Sequence, residues 1–224
     1  MIKNIQIAID GPSGAGKSTV AKRLAQKLNY DYIDTGAMYR AFALKLILNG
    51  YNSANIDDSI ISKLIDSADI DFHEGNILLD GENVETKIRN EKIGILASDL
   101  SALKIVRDAL VDKQRKIARS KSVIMDGRDI GTVVLKNADL KIYLTADPYT
   151  RAKRRYIDLL DSGVKTSLEE TLDQILKRDY NDMNRKHSPL KKADDAIKLD
   201  TTNLNLDETV AKIIEILEEK INVL

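Results

Sequence analysis

The chain has no cysteine and only two histidines in 224 residues. Without cysteine there is no disulfide, no thiolate nucleophile and no cysteine-built zinc site. His73 and His187 stand far apart, which argues against a histidine-based metal site; both are read as structural or solvent-facing. Neither sign of charge is in excess, with 35 Lys+Arg against 35 Asp+Glu. Nothing global therefore draws the chain to nucleic acid or to an acidic membrane surface. No apolar run approaches the ~20 residues that a membrane-spanning helix needs, and the opening MIKNIQIAID lacks the shape of a secretory signal. The expectation is a soluble, cytoplasmic protein that binds neither nucleic acid nor membrane. No exposed apolar stripe is evident either, so a monomer is expected.

What is present suits one domain carrying a sizeable insertion: 43% apolar residues for a core and 31% charged residues for the surface. The charge is unevenly placed. Tyr149 to Lys192 holds eleven Lys/Arg against seven Asp/Glu, while Ala193 to Leu224 holds three against eight. An anionic small substrate would account for the basic stretch, and so would a solvated helix face.

Five short apolar, β-branched runs read as strands: the run through Ile5, Ile7 and Ile9, then YDYID, SVIMD, LKIYLTA and AIKLDTT. Helical spacing separates them, as at Val20, Leu24 and Leu28, and over Ala37 to Leu48 before Asn49-Gly50. Pro148 after Asp147, Ser167 with Glu170, and Asn205 with Glu208 mark further helix starts. Strands alternating with helices predict an α/β parallel sheet of about five strands flanked by helices. The middle departs from this rhythm. Ile70, Phe72, Ile77 and Leu79 alternate with polar residues around the turns Glu74-Gly75 and Asp80-Gly81, which predicts a small antiparallel meander. Helical periodicity follows from Glu91 to Arg119. The insert is placed at about 69–118, within a core of 1–68 and 119–224.

Between the first strand and the first helix lies GPSGAGKST, Gly11 to Thr19. Gly11, Gly16, Lys17 and Ser18 match the phosphate-binding spacing G-x-x-x-x-G-K-[S/T]. Backbone N–H groups of Gly11, Pro12's neighbours Ser13, Gly14, Ala15 and Gly16, and the helix start at Lys17, Ser18 and Thr19 would cradle the phosphates of ATP. Lys17, read as an exposed loop lysine, would reach the β- and γ-phosphates, and Ser18 would ligate Mg²⁺. The motifs of a guanine-nucleotide switch, D-x-x-G and N-K-x-D, are absent from the sequence. A phosphotransferase with a small acceptor remains, and it requires an acceptor pocket and a water-excluding lid.

Five stretches, IDGPSGAGKST, DTGAMYR, DGRDIGTVV, RDYNDMNR and LDTT, resemble those of the bacterial cytidylate kinase family in order and spacing. The resemblance spans nearly the whole chain. It implies a P-loop NTPase-type sheet, a nucleoside-monophosphate-binding role for the antiparallel insert, and a short helical lid at about 149–165. The implied reaction is phosphorylation of CMP and dCMP by ATP. The alternatives are another small-acceptor P-loop kinase, or a nucleotide-binding regulator without turnover.

The same resemblance assigns residues. Arg40 would grip the acceptor's α-phosphate and Thr35 would lie near the sugar. Members of the family vary between serine and threonine after Asp34; this chain has threonine, whose methyl bears on the choice between CMP and dCMP. Arg128 is assigned to phosphate and Asp129 to the base, although from the residues alone the two could equally pair with each other. Ser98 and Arg107 would meet the cytosine edge; without the resemblance both read as helix-surface residues. Arg178, Asp182 and Arg185 stand at i, i+4 and i+7, which describes either a solvated ion-pair face or a site; the resemblance assigns them to ribose and phosphate. In RAKRR, Arg151 and Arg155 are one turn apart and are taken as the phosphate-facing pair of the lid. Lys17, Arg128, Arg151 and Arg155 are thus the expected catalytic cations.

Overall fold

The computed structural model describes residues 4–52 and 56–221. Positions 1–3 and 222–224, the ends of the expected core, and 53–55 within it lie outside that description. The chain forms two compact units, one of Met1–Tyr32 with Ser122–Leu224 and one of Ile33–Lys121.

The first unit is built on parallel strands. β1 (Gln6–Asp10) pairs in parallel with β6 (Val123–Gly127) and β7 (Leu140–Thr145), and β7 pairs with β8 (Ile197–Asp200). With β2 (Asp31–Asp34), whose last residues pass into the second unit, the sheet order is β2-β6-β1-β7-β8. Helices α1 (Lys17–Leu28), α6 (Pro148–Asp161), α7 (Leu168–Asn184) and α8 (Leu206–Ile221) belong to this unit. The near-continuous apolar strands are those of a sheet covered on both faces. Ile7, Ile9, Ile124, Ile142 and Leu144 pack with Leu24 of α1 and with Val210, Ile213 and Leu217 of α8.

The connections fix where a ligand can bind. After β1 the chain crosses to β2 on one side, and after β6 it crosses to β7 on the other. The carboxyl ends of β1 and β6, in register at Asp10 and Gly127, therefore flank the switch point at which open α/β sheets take their ligands.

The second unit holds α2 (Thr35–Leu48), α3 (Asp58–Ser67), a three-stranded antiparallel sheet, α4 (Glu91–Ala102) and α5 (Lys104–Arg119). The sheet strands are β3 (Ile70–His73), β4 (Asn76–Leu79) and β5 (Glu82–Asn83). Its two hairpins turn on Glu74-Gly75 and Asp80-Gly81, all with positive φ, the geometry a two-residue hairpin prefers. The expected insert, 69–118, falls within this unit, which also takes in α2 and α3.

Two features of the second unit differ from the sequence reading. The segment before the meander is given no element there, yet Asp57 accepts N–H bonds from Ser59 and Ile60 and caps α3. The helical stretch 91–119 is two helices, broken at an extended Leu103. The break leaves the Ser101 carbonyl for the Arg107 guanidinium, which donates to it at 3.0 Å. A third difference lies in the first unit: α7 leaves Leu176, Tyr180 and Met183 exposed at i, i+4 and i+7, an apolar stripe that the sequence alone does not make evident. Among the described residues no helix is long and apolar enough to cross a membrane.

Candidate active site

The loop after β1 is closed around itself. A Cβ on Gly11 would stand 2.0 Å from the Leu144 carbonyl oxygen of the neighbouring strand, and one on Gly14 2.7 Å from the Arg151 carbonyl oxygen. Both glycines also have positive φ, so no other residue fits without displacing backbone. Ala15 is buried, and α1 begins immediately after Gly16 with Lys17 and Ser18 in its first turn. Thr19 faces solvent.

Lys17 is not an exposed loop lysine. Its side chain is buried and its ammonium donates to the Pro12 carbonyl at 2.8 Å. Burial, helped by the Arg128 charge, pushes its pKa from 10.5 down to about 7. An anion brought beside it would restore the charge. Ser18 donates its hydroxyl to Asp126 Oδ2 at 2.9 Å, and Tyr32 donates its own to Asp126 Oδ1 at 2.8 Å. A hydroxyl and a carboxylate meeting at the loop's exit are oxygen donors of the kind a hard cation takes. Among the described residues no cluster of three or more His, Cys, Asp or Glu could hold a metal alone. Mg²⁺ commonly uses one or two carboxylates and completes its shell with substrate phosphates and water.

The peptide of Ser13 is gripped from both sides. Its N–H donates to Asp179 Oδ1 at 2.8 Å, and its carbonyl accepts from Arg151 Nη1 at 2.7 Å. Arg151 and Asp179 also pair with each other, and Arg151 Nε donates to the Ala146 carbonyl. Arg151 is thus almost wholly buried, whereas Arg155, one turn on, is exposed. Arg154 donates to Thr201 Oγ1 and to the Thr201 carbonyl. The mutual repulsion within RAKRR is relieved by spending two cations on carbonyl and carboxylate oxygens and leaving Lys153 and Arg155 in solvent.

After β6 the chain makes one wide helical turn, Ile130–Val134, in which Val134 and Leu135 donate to carbonyls five residues back. Such turns recur at functional sites. Arg128, just before it, donates from Nε to Asp182 Oδ2 of α7 at 2.7 Å. Burial opposes the charge of both groups, but the partner and the other opposite charges around each together outweigh it: Asp182, with Arg128, Arg178 and Arg185 near it, is held below its ordinary value, and Arg128, with Asp182, Asp179 and Asp126, above. Arg185 reaches Asp129 Oδ1 at 3.6 Å and Asp182 Oδ1 at 3.9 Å. Arg128, Asp129, Asp182 and Arg185 therefore form one largely buried network, with Arg185 an extended residue just past the end of α7 rather than a member of its face. Arg178 is exposed on that helix, and its charge acts on both Lys17 and Asp182.

The second unit carries the remaining candidates. Thr35 is buried at the start of α2, whose N-cap, Asp34, accepts from the Ala37 N–H at 2.9 Å and pairs with Arg89 at 3.2 Å. Arg40 donates to the Ile88 carbonyl at 3.3 Å, and Gly94 makes room for it, since a Cβ there would lie 3.2 Å from Arg40 Nη1. Ser98 is half-buried on α4. Arg107 is buried, with its guanidinium 5.7 Å from the Tyr39 ring centroid; the reading of it as a helix-surface residue is overturned by the break at Leu103.

Asp10, Tyr32, Asp126 and Asp179 are polar side chains of this region that the sequence reading passed over. All four lie inside stretches quoted above, IDGPSGAGKST, YDYID, DGRDIGTVV and RDYNDMNR, and the position of Asp126 at a strand's carboxyl end is a usable signal.

A sequence profile of the cytidylate kinase family matches residues 7–219. Over 219 residues the chain is 48% identical to the cytidylate kinase of Caldicellulosiruptor saccharolyticus, covering 96% of both chains. It is 50% identical to that of Lactobacillus johnsonii over 220 residues, 96% of this chain and 95% of the relative. A crystal structure of a protein from Eubacterium ventriosum, 17% identical, superposes with a TM-score of 0.53 over 97% of this chain and 99% of that one, a likeness of fold alone.

Proposed function

The chain belongs to the cytidylate kinase family, and we propose on that footing that it transfers the γ-phosphoryl group of ATP to CMP and dCMP. The bond between the β,γ-bridging oxygen and the γ-phosphorus breaks, an α-phosphate oxygen of the acceptor forms the new bond, and ADP leaves with the diphosphate of the acceptor. The observation that carries the reading is the 48% and 50% identity to cytidylate kinases over nearly the full length of the chain; the joining of DGRD and RDYNDMNR residues at Arg128, Asp129, Asp182 and Arg185 supports it.

Phosphoryl transfer asks the protein chiefly for position and positive charge. Lys17 and Arg128 supply charge beside the cradle, Arg155 is free to turn to phosphate, and Arg151 holds the loop that binds ATP. Ser18, with Asp126, is the group to hold Mg²⁺, which would screen phosphate charge. For the acceptor, Arg40 takes the phosphate, Thr35, Arg178, Asp182 and Arg185 the sugar and phosphate, and Ser98, Arg107 and Asp129 the base. The unit holding the insert is the acceptor-binding part, and α6 with the turn after it is the lid.

An assay of ADP release with a panel of acceptors tests this. CMP and dCMP should be phosphorylated far faster than AMP, GMP or shikimate. Preference for one of those three would make it another small-acceptor kinase, and ATP binding without turnover on any would make it a regulator.

A further inference from the structure

A carboxylate at the N-cap of a helical turn ordinarily folds back onto the second or third backbone N–H of that turn. Asp129 holds this place ahead of Ile130–Val134 and makes no such bond. The first and second N–H groups of the turn go instead to a residue of another strand. Ile130 donates to Asp10 Oδ1 at 2.8 Å and Gly131 donates to Asp10 Oδ2 at 2.7 Å. We propose that Asp10 is a positioning residue for acceptor selectivity: by capping this turn from the end of β1, it keeps the Asp129 carboxylate off the turn's own N–H groups, in the place beside Arg185 from which it can meet the acceptor's base. The proposal rests on the assignment of Asp129 to the base given above.

Three observations support it. Asp10 is buried, and burial together with the Asp129 charge raises its pKa from 3.8 to about 6 against the two N–H bonds and Lys17, which act the other way. A buried carboxylate retained against that penalty is poorly explained by packing, since apolar replacements of buried charge are often neutral or stabilising. The turn is also shaped for this partner: a Cβ on Gly131 would stand 3.3 Å from Asp10 Oδ2 and 3.1 Å from Lys141 Cδ. Finally, Asp10 directly precedes Gly11, so one residue roots both the phosphate cradle and the turn that carries Asp129.

Removing an acceptor from Asp10 leaves a buried N–H without a partner, and the Asp129 carboxylate is the near group that can replace it. Folding back to cap its own turn, Asp129 would be withdrawn from the base. The loss should fall on selectivity.

The test compares wild type, Asp10→Asn, Asp129→Asn and the double variant. kcat/KM is measured for CMP and UMP at saturating ATP, alongside calorimetric binding of a non-hydrolysable ATP analogue to confirm a folded cradle. Asp10→Asn should reduce the CMP-to-UMP ratio roughly five- to tenfold, mainly through KM for CMP. In the double variant the ratio should equal that of Asp129→Asn alone, because both changes remove the same contact. Equal losses on CMP and UMP in Asp10→Asn, or ratio losses that multiply in the double variant, would overturn the proposal. A ratio unmoved by Asp129→Asn itself would instead overturn the assignment of Asp129, and the proposal with it. If Asp10→Asn does not fold, Asp10→Ser, which keeps one acceptor oxygen and no charge, carries the same comparison.

Discussion

Asp129 and Arg185 approach to 3.6 Å with both side chains almost fully buried, so a base meeting this carboxylate has to bring a donor. Cytosine does so with its N4 amino group, whereas uracil offers a carbonyl at that place. Asp129→Asn supplies an amide donor that suits the uracil carbonyl. The ratio of kcat/KM for CMP over UMP should fall by about ten- to a hundredfold, the range of one lost polar discrimination. A uniform drop on both nucleotides would show that cytosine is read elsewhere. The other residues proposed for the acceptor bear on this in different ways. Arg128 is committed to Asp182 and is better placed for charge than for base reading, while Arg107 is buried beside Tyr39 rather than idling on a helix surface.

Elements are held together here by residues whose motif membership suggested chemistry. Thr201 and Thr202, the end of LDTT, brace the corner between β7 and α6. Thr201 donates its N–H and hydroxyl to the Thr145 carbonyl and receives Arg154, and Thr202 Oγ1 accepts from the Asp147 N–H. Thr201→Val keeps the shape and removes the hydroxyl, leaving one Arg154 N–H short of a partner and the Thr145 carbonyl with the Thr201 N–H as its remaining donor from this residue. Urea unfolding should show a loss of about 1–3 kcal/mol, with the KM values for ATP and CMP close to wild type; a large KM change with no loss of stability would place Thr201 in the site instead. Helix ends written locally were legible in the sequence: Asp147 with Pro148, and the reciprocal bonds of Ser167 with Glu170 and Asn205 with Glu208, all form as expected. So were the strand order's raw material and the two hairpin turns. What was not legible depends on distant partners. The wide turn at Ile130–Val134 is capped by Asp10 from another strand. Arg151 is taken up by Asp179 and the Ser13 peptide. The break at Leu103 involves neither proline nor glycine. α3, by contrast, was open to the sequence: Ile60, Ile61, Leu64 and Ile65 recur at helical spacing behind the Asp57 cap.

The stability of the whole molecule is set against the site it carries. Lys17 and Asp10 are both buried, with pKa values moved to about 7 and about 6. For Asp10 the folded value lies above the ordinary one, so its contribution is most favourable at low pH and is lost as pH rises through about 4 to 6. For Lys17 the folded value lies below 10.5, so between about 7 and 10.5 the unfolded chain binds more protons. Stability from this group therefore rises with pH across that window and is poorest at and below neutrality. Phosphate arriving beside the ammonium would relieve the penalty, so on the proposed role of Lys17 its removal should move stability and turnover in opposite directions. Lys17→Met keeps the buried stem and deletes the charge. At pH 7 it should unfold with a free energy roughly 1–3 kcal/mol higher than wild type, after allowing for the lost bond to the Pro12 carbonyl. The gain should shrink steadily toward pH 10, where the wild-type lysine is neutral in the folded protein and increasingly so in the unfolded one. Turnover with ATP and CMP should meanwhile fall by ~10³-fold or more, the scale of losing a principal charge at the transferring phosphate. Urea titrations of both proteins at pH 7, 8.5 and 10, without nucleotide, give the comparison. A wild type more stable than Lys17→Met at pH 7, or a difference that does not change with pH, would mean that the buried ammonium is better solvated than its surroundings imply and that the cradle carries no stored penalty for phosphate to release.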